Sequence, residues 1–290
     1  GTLHDLFFRD DNFLDLTDGY LVGTATDSFG VVGFAMIRHL NAEGGVVTVH
    51  SVPLQWDPKV NTLYSAHVAS GGELPDFINP YDTRFHVINT SAETAQVTLA
   101  FTDDADAASG TAGYTLAAGE QLVVPAWQAF GLPDPATRPP YVTGNVKITS
   151  DRDGLLGDVV FGDGLNTPPA FESCLALEAA PARQAIFSHV AHGPVGDGTL
   201  MYFNGISVCN FNTYPVDATV WIFQQNGTLT GTHVLHLEAD SRYLGLLSNI
   251  IPAAWPQLGG YVVLDATGPV VAFELFLDNN SRLLSAVPRN

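Results

Sequence analysis

Hydrophobic and polar positions along this chain alternate in short runs and seldom fall at helical spacing. In residues 97–101, "VTLAF", Val97, Leu99 and Phe101 share one face and Thr98 takes the other, the period-two pattern of a strand with one buried side. Residues 219–223, "TVWIF", read the same way, send Trp221 and Phe223 inward. Three other stretches are apolar on both faces, around Val31 and Val32, Leu155 and Leu156, and Val270 and Val271; such runs predict central strands covered on both sides. Clusters of Gly, Pro, Asn and Asp separate the runs, as turns between strands require. Only "PAWQAF" from Pro125 and "LSNIIPAAW" from Leu247 suggest helix. Proline begins or interrupts each, so each predicts a single turn.

The runs recur in the same order. "SAHVA" (65–69) answers "SHVA" (188–191), setting His67 against His189; "FHVIN" ending at Asn89 answers "ISVCN" ending at Asn210; "VTLAF" answers "TVWIF"; "LAAGEQLVV" from Leu116 answers "LEADSRYLG" from Leu237. A closing segment appears three times, ending at Pro53, Pro181 and Pro288, with Gly33, Gly157 and Ala272 in register as a small mid-strand residue that admits a close neighbour. Beside it stand Phe34 and Phe273, but Asp158 in the middle copy, which predicts a polar partner or a more exposed face there. The expected organisation is two complete units and one partial unit carrying only closing strands, with boundaries at 1–57, 58–183 and 184–290. Strands of this number and patterning suit tandem antiparallel β-sandwich repeats, immunoglobulin-like or related, an all-β fold; a small barrel is the alternative.

Composition narrows the function classes. The chain has 290 residues, 46% hydrophobic, with 11 Lys and Arg against 30 Asp and Glu and a formal charge of −19. Nucleic acid is excluded as a partner by the want of a basic surface. No run is long and apolar enough for a membrane helix. Cys174 and Cys209 are too few for a structural zinc site and are either one disulfide or two buried thiols.

The opening "IFSHVA" at Ile186 and the closings "GPVVAFELF" and "LLSAVP" resemble tandem β-rich modules of bacterial secreted and surface proteins, a largely uncharacterised family with a GxVVGFELF…LAAVP-type closing motif. The resemblance spans nearly the whole chain. It implies export to the extracellular space or cell surface and a structural, adhesive or recognition role.

Candidate chemistry is sparse. His189 with His192 and His233 with His236 have i,i+3 spacing, which on a strand points the pair to opposite faces; Asp197 in the glycine-rich turn after His192 is the acid that would join the first pair. Asp103, Asp104 and Asp106 form an acidic turn of the kind calcium uses, without an EF-hand pattern. A second acidic stretch holds Asp151, Asp153, Asp158 and Asp163. Trp56, Trp127 and Trp255 are aromatics that could form a glycan platform, and Trp127 and Trp255, in proline-flanked connections, are the better candidates. Asn89, Asn226 and Asn279 begin Asn-x-Ser/Thr triplets. No nucleophile elbow or phosphate loop appears, no cofactor is implied, and the expectation is a non-enzyme. A unit lacking its opening strands leaves a sheet edge to be covered, and Leu6, Phe7, Phe8 and Phe13 are the candidates to cap it or to dock into a neighbour. The expected function is a structural or adhesive surface protein that assembles with itself or other surface proteins, by strand addition into fibres or an array. The alternative is a carbohydrate-binding or accessory module of a secreted hydrolase.

Overall fold

The computed structural model describes residues 34–279 and 284–287, apart from 42, 54, 56–58, 75–77 and 106–108. Of the described residues, strand accounts for 61% and helix for 6%, and the strands pair antiparallel. A first hairpin joins β1 (Phe34–Leu40) to β2 (Val46–Pro53).

The next strands make two four-stranded sheets. One runs β3 (Thr62–Ser70), β8 (Val142–Ser150), β5 (Ala95–Asp103), β6 (Gly110–Leu116). The other runs β10 (Glu172–Ala176), β9 (Leu155–Asp163), β4 (Tyr81–Asn89), β7 (Gln121–Pro125). We call these eight strands the N-terminal sheet pair. In β5 the expected alternation holds, with Val97, Leu99 and Phe101 buried. A Cβ added to Gly157 of β9 would stand 2.2 Å from the His86 carbonyl oxygen, the close approach its small side chain permits. Beside it Asp158 does have a polar partner, since its Oδ1 lies 2.8 Å from His86 Nδ1. The "PAWQAF" turn is α1 (Ala126–Phe130), closed by Gly131 at φ +68°.

The remaining strands form the C-terminal set: β11 (Ala182–Phe187), β12 (Ala191–Val195), β13 (Leu200–Asn210), β14 (Val216–Phe223), β15 (Leu229–Leu237), β16 (Ser241–Leu246), β17 (Gln257–Leu258), β18 (Tyr261–Asp278) and β19 (Leu284–Val287). The turn α2 (Leu247–Ile250) follows β16. The long β18 serves two groups of strands: its first half pairs with β11 and β14, its second with β13 and β19. In the N-terminal pair a bend at 151–153 and Gly154, at φ +109°, separate β8 from β9.

One expectation fails in β14. Val220 and Ile222 are fully buried, whereas Trp221 and Phe223 lie on the half-buried outer face, where Phe223 stacks on Tyr261 at 4.9 Å. Matching "VTLAF" with "TVWIF" is one residue out of step. β5 begins Ala95 opposite Leu116, and β14 begins Val216 opposite Leu237, so Val97 corresponds to Ala218, and a one-residue slip exchanges the two faces of a strand.

Asn89 and Asn210, at the ends of β4 and β13, are buried with matching bonds. Asn89 Nδ2 donates to the carbonyls of Glu93, Leu116 and Ala117. Asn210 Nδ2 donates to those of Tyr214, Leu237 and Glu238. The Asn89 amide is therefore sealed and hydrogen-bonded, which removes it as a glycan acceptor in the folded chain; Asn226 and Asn279 remain exposed.

Candidate assembly interface

The densest polar cluster forms where the C-terminal set meets β3, and it begins with a bulge. The β3–β8 ladder shifts register between Ser65 and Val68, so Ala66 and His67 have no ladder partner. The Ser65 hydroxyl donates to the His67 carbonyl at 2.8 Å. The Ala66 carbonyl is taken from across the interface: Ser207 Oγ of β13 donates to it at 2.6 Å and Arg242 Nη1 of β16 at 3.0 Å.

Arg242 knots the two groups of strands together, and its side chain is only 1% exposed. Besides the Ala66 carbonyl, Nη1 donates to His67 Nδ1 at 2.9 Å. Nε donates to Asp104 Oδ1 at 2.6 Å and Nη2 to Asp104 Oδ2, a bidentate fork. Thr143 Oγ1 also donates to Asp104. Aromatic rings complete the contact. Phe273 of β18 stacks on Phe161 of β9 at 5.7 Å and 19°, with His67 tilted against both, and Tyr64 meets Phe211 at 4.8 Å.

His67 is held neutral. Burial lowers its pKa well below the ordinary value, and the Arg242 charge adds to the effect. Its Nδ1 accepts from Arg242, so a proton there would remove the acceptor and set two cations together. The unfolded imidazole takes a proton near about pH 6.5, where the folded one refuses it. Stability contributed here is thus present above that pH and lost as pH falls. Unfolding midpoints at about pH 7.5 and about pH 5.5 are expected to differ more in the parent than in His67→Gln; an equal acid loss in both would remove His67 as the cause.

A second buried cluster lies inside the C-terminal set. Asn204 Oδ1 accepts from the Ala191 amide, its own amide nitrogen donates to His192 Nδ1 at 2.9 Å, and its Nδ2 donates to Glu274 Oε1. Burial raises the Glu274 pKa well above its ordinary value and lowers that of His192, so burial disfavours the charged form of each. His192 packs edge-on to Trp255.

The other sequence candidates fall as follows. Leu6, Phe7, Phe8 and Phe13 lie outside the described residues, as do Asp106 and Trp56. Asp103 Oδ1 accepts from the Ala105 amide, and Asp104 receives Arg242, so the acidic turn supplies an ion pair across the interface. Asp163 Oδ2 accepts from Asn79 Nδ2, Asn166 Nδ2 and the Ala170 amide. Trp127 is half-buried in α1; Trp255 stacks on Phe203 at 5.6 Å. The two occupy different groups of strands and make no ring contact with each other. Cys174 and Cys209 are buried free thiols, not joined in a disulfide. His189 is exposed while His192 is buried, and His236 pairs with Asp217 at the surface. Among the described residues no three His, Cys, Asp or Glu side chains are grouped to hold a metal ion, and no helix is long and apolar enough to cross a membrane.

Sequence reasoning missed Arg242 and Ser207. A signal existed for Arg242: it is one of 11 cations and stands in a strand whose counterpart "EQLVV" has none.

No protein-family model and no curated protein matches the chain. Among solved structures, a Thermotoga maritima protein, 1070, is 15% identical, with a TM-score of 0.32 over 38% of this chain and 94% of that one. A second, BspA_C_WT, is 11% identical, with a TM-score of 0.17 over 87% of this chain and 99% of that one. Both scores are too low to place this chain in a fold family.

Proposed function

We propose that this chain is a non-catalytic, extracellular structural or adhesive protein, built of tandem β-sandwich repeats that dock in series and assemble with other copies of themselves. The observation that carries the reading is the Arg242 knot. A side chain sealed between two groups of strands, meeting a carboxylate, a carbonyl and an imidazole, fixes their relative placement as a load-transmitting protein requires.

The repeat reading rests on strand order and on matching bonds. The order β3-β8-β5-β6 answers β11-β18-β14-β15, and β10-β9-β4-β7 answers β19-β18-β13-β16. Asn89 and Asn210 make equivalent sets of bonds. Thr83 Oγ1 accepts from the Ala69 amide as Asn204 Oδ1 accepts from that of Ala191. The hairpin of β1 and β2 answers β9 with β10 and β18 with β19. Placement outside the cell follows from the resemblance to secreted tandem modules. A non-catalytic role fits the state of the buried titratable groups, because His67, His192 and Glu274 are all packed away from solvent.

The test is electron microscopy of natively purified protein together with its mass in solution and tryptophan fluorescence with added polysaccharides. Fibres or arrays with fluorescence indifferent to sugars are expected. Discrete monomers whose fluorescence responds to a polysaccharide would replace this reading with that of a carbohydrate-binding module.

A further inference from the structure

The surface of β3 and β9 that the C-terminal set covers has a counterpart on the C-terminal set itself, and that counterpart is exposed. His67 in "SAHVA" answers His189 in "SHVA", and Tyr64 and Ala66 answer Ile186 and Ser188. Phe161 answers Phe276. The rung His86–Asp158 of β4 and β9 matches Ser207–Phe273 of β13 and β18, each three residues before the end asparagine of the first strand, and the two phenylalanines follow three residues on. The local geometry is reproduced: the His67 and Phe161 rings lie 5.4 Å apart at 46°, the His189 and Phe276 rings 4.8 Å apart at 52°. Tyr64 and His67 are covered by Phe211, Arg242 and Phe273. Ile186, by contrast, is 45% exposed, and Ser188 and His189 are exposed beside it.

The group that fills the covered socket also has an exposed counterpart. Phe273 is the plug, stacked on Phe161. Phe34 holds the same place in the first hairpin. It faces Pro53, the closing proline, across β1 and β2, while Glu274, one residue past Phe273, faces Val287, one residue before the closing proline. Phe34 is 68% exposed, and Met36, next on that face, is 53% exposed. Successive hairpins already pack side by side within the chain. β10 packs beside β19 of the C-terminal set and also beside β2, and Glu172 of β10 bonds His39 of β1 at 3.0 Å. Among the described residues, a plug thus stands without a socket at the first hairpin, and a socket without a plug on β11, the segment that follows it, and β18.

We propose that the occupant of the His189–Phe276 socket is a second copy of this chain, which inserts Phe34 and Met36 from its first hairpin as Phe273 inserts over His67 and Phe161. The inference rests on the self-assembly reading above and names the contact. Plug and socket are different surfaces, so the contact is heterologous and adds chains head to tail; it gives a filament unless the rotation closes a ring. Aromatic residues centred in a desolvated pocket carry most of the affinity of such contacts.

Sedimentation of mixed variants tests it. Phe34→Asp removes the plug and leaves the socket; Ile186→Asp with His189→Asp removes the socket and leaves the plug. Each alone is expected to weaken association by roughly thirtyfold or more and to sediment as a monomer where the parent forms longer species. An equal mixture of the two is expected to stop at dimers, because one intact plug and one intact socket remain. All three altered residues are exposed, and circular dichroism with thermal midpoints checks folding; Met36→Asp serves as a second plug variant. Assemblies that persist in every variant would overturn this contact and leave the self-assembly reading standing. A strictly monomeric parent would overturn both.

Discussion

Replacing Arg242 with alanine is expected to cost about 3 kcal/mol of stability and to loosen the C-terminal set from the N-terminal sheet pair. Two acceptors lose their donor in a site closed to water, the Ala66 carbonyl and His67 Nδ1, although Ser207 still serves the first. Each buried group left without a bond costs about 1–3 kcal/mol. Asp104 contributes less, because its side chain is 35% exposed and rehydrates when the guanidinium leaves. Asp104→Asn is accordingly expected to cost about 1 kcal/mol, since Arg242 keeps its two other acceptors. Equilibrium denaturation in urea, followed by fluorescence and by far-ultraviolet dichroism, reads both effects, and separation of the two probes in the Arg242 variant would report uncoupled groups of strands. Equal losses in the two variants would mean that the ion pair, and not the bulge carbonyl and imidazole, holds the interface. Acid sensitivity is a further control. Burial is the larger cause of the lowered His67 pKa, so removing the Arg242 charge relieves it only in part.

What was legible in the sequence was local, and what was not depended on contacts between distant segments. Val97, Leu99 and Phe101 could be sent inward because a strand face follows from period two alone, and the bracketing prolines limited both helices to a turn. Gly157 could be read as a close approach because the lack of a side chain is itself a steric statement. Trp221 and Phe223 lie on the face opposite to the one expected because "TVWIF" set against "VTLAF" is one residue out of step with the ladders; the bonds of the buried Asn89 and Asn210 give the register. His67 and His189 stand in similar pentapeptides, yet their surroundings differ. One is covered by β13, β16 and β18 and the other is exposed, a difference set by contacts with distant strands and not by either pentapeptide. Asp104 looked like a cation ligand because an acidic turn is all the sequence displays, while its partner Arg242 lies far along the chain. Phe7 and Phe8, the sequence candidates for assembly, lie outside the described residues, and a role for Phe34 is visible only beside the stacking of Phe273 on Phe161.

Alanine at Asn89 or Asn210 is expected to be as damaging as the loss of Arg242, at about 3 kcal/mol each. Each asparagine closes a corner in which a strand end, a following turn and a distant hairpin turn all present carbonyls to one point. Asn89 Nδ2 serves the Glu93, Leu116 and Ala117 carbonyls at 2.7, 3.1 and 3.0 Å, and Oδ1 accepts from the Ser91 amide at 3.0 Å and its hydroxyl at 2.7 Å. Asn210 repeats this with the Tyr214, Leu237 and Glu238 carbonyls at 2.8, 3.2 and 2.8 Å and with Asn212. An amide nitrogen has two hydrogens, so three acceptors saturate it. Alanine strands several buried polar groups at once, which is why the expected loss exceeds the roughly 1 kcal/mol of a single bond. Aspartate, almost the same shape, is expected to be worse at neutral pH, because it sets a carboxylate oxygen against three carbonyls where a donor stood. That penalty has a definite sign with pH. The folded pKa of the new acid would lie above its unfolded value, so the variant would regain stability as the solution is acidified towards the unfolded carboxyl range near about pH 4. Denaturation of Asn89→Ala, Asn89→Asp and the Asn210 pair at neutral and mildly acid pH separates the possibilities. An aspartate variant as stable as the parent at neutral pH would show that these corners admit water. The two sites share no hydrogen-bond partner, so their losses are expected to add if the two groups of strands unfold together, and a double variant losing no more than either single one would mean that the two groups unfold as separate units.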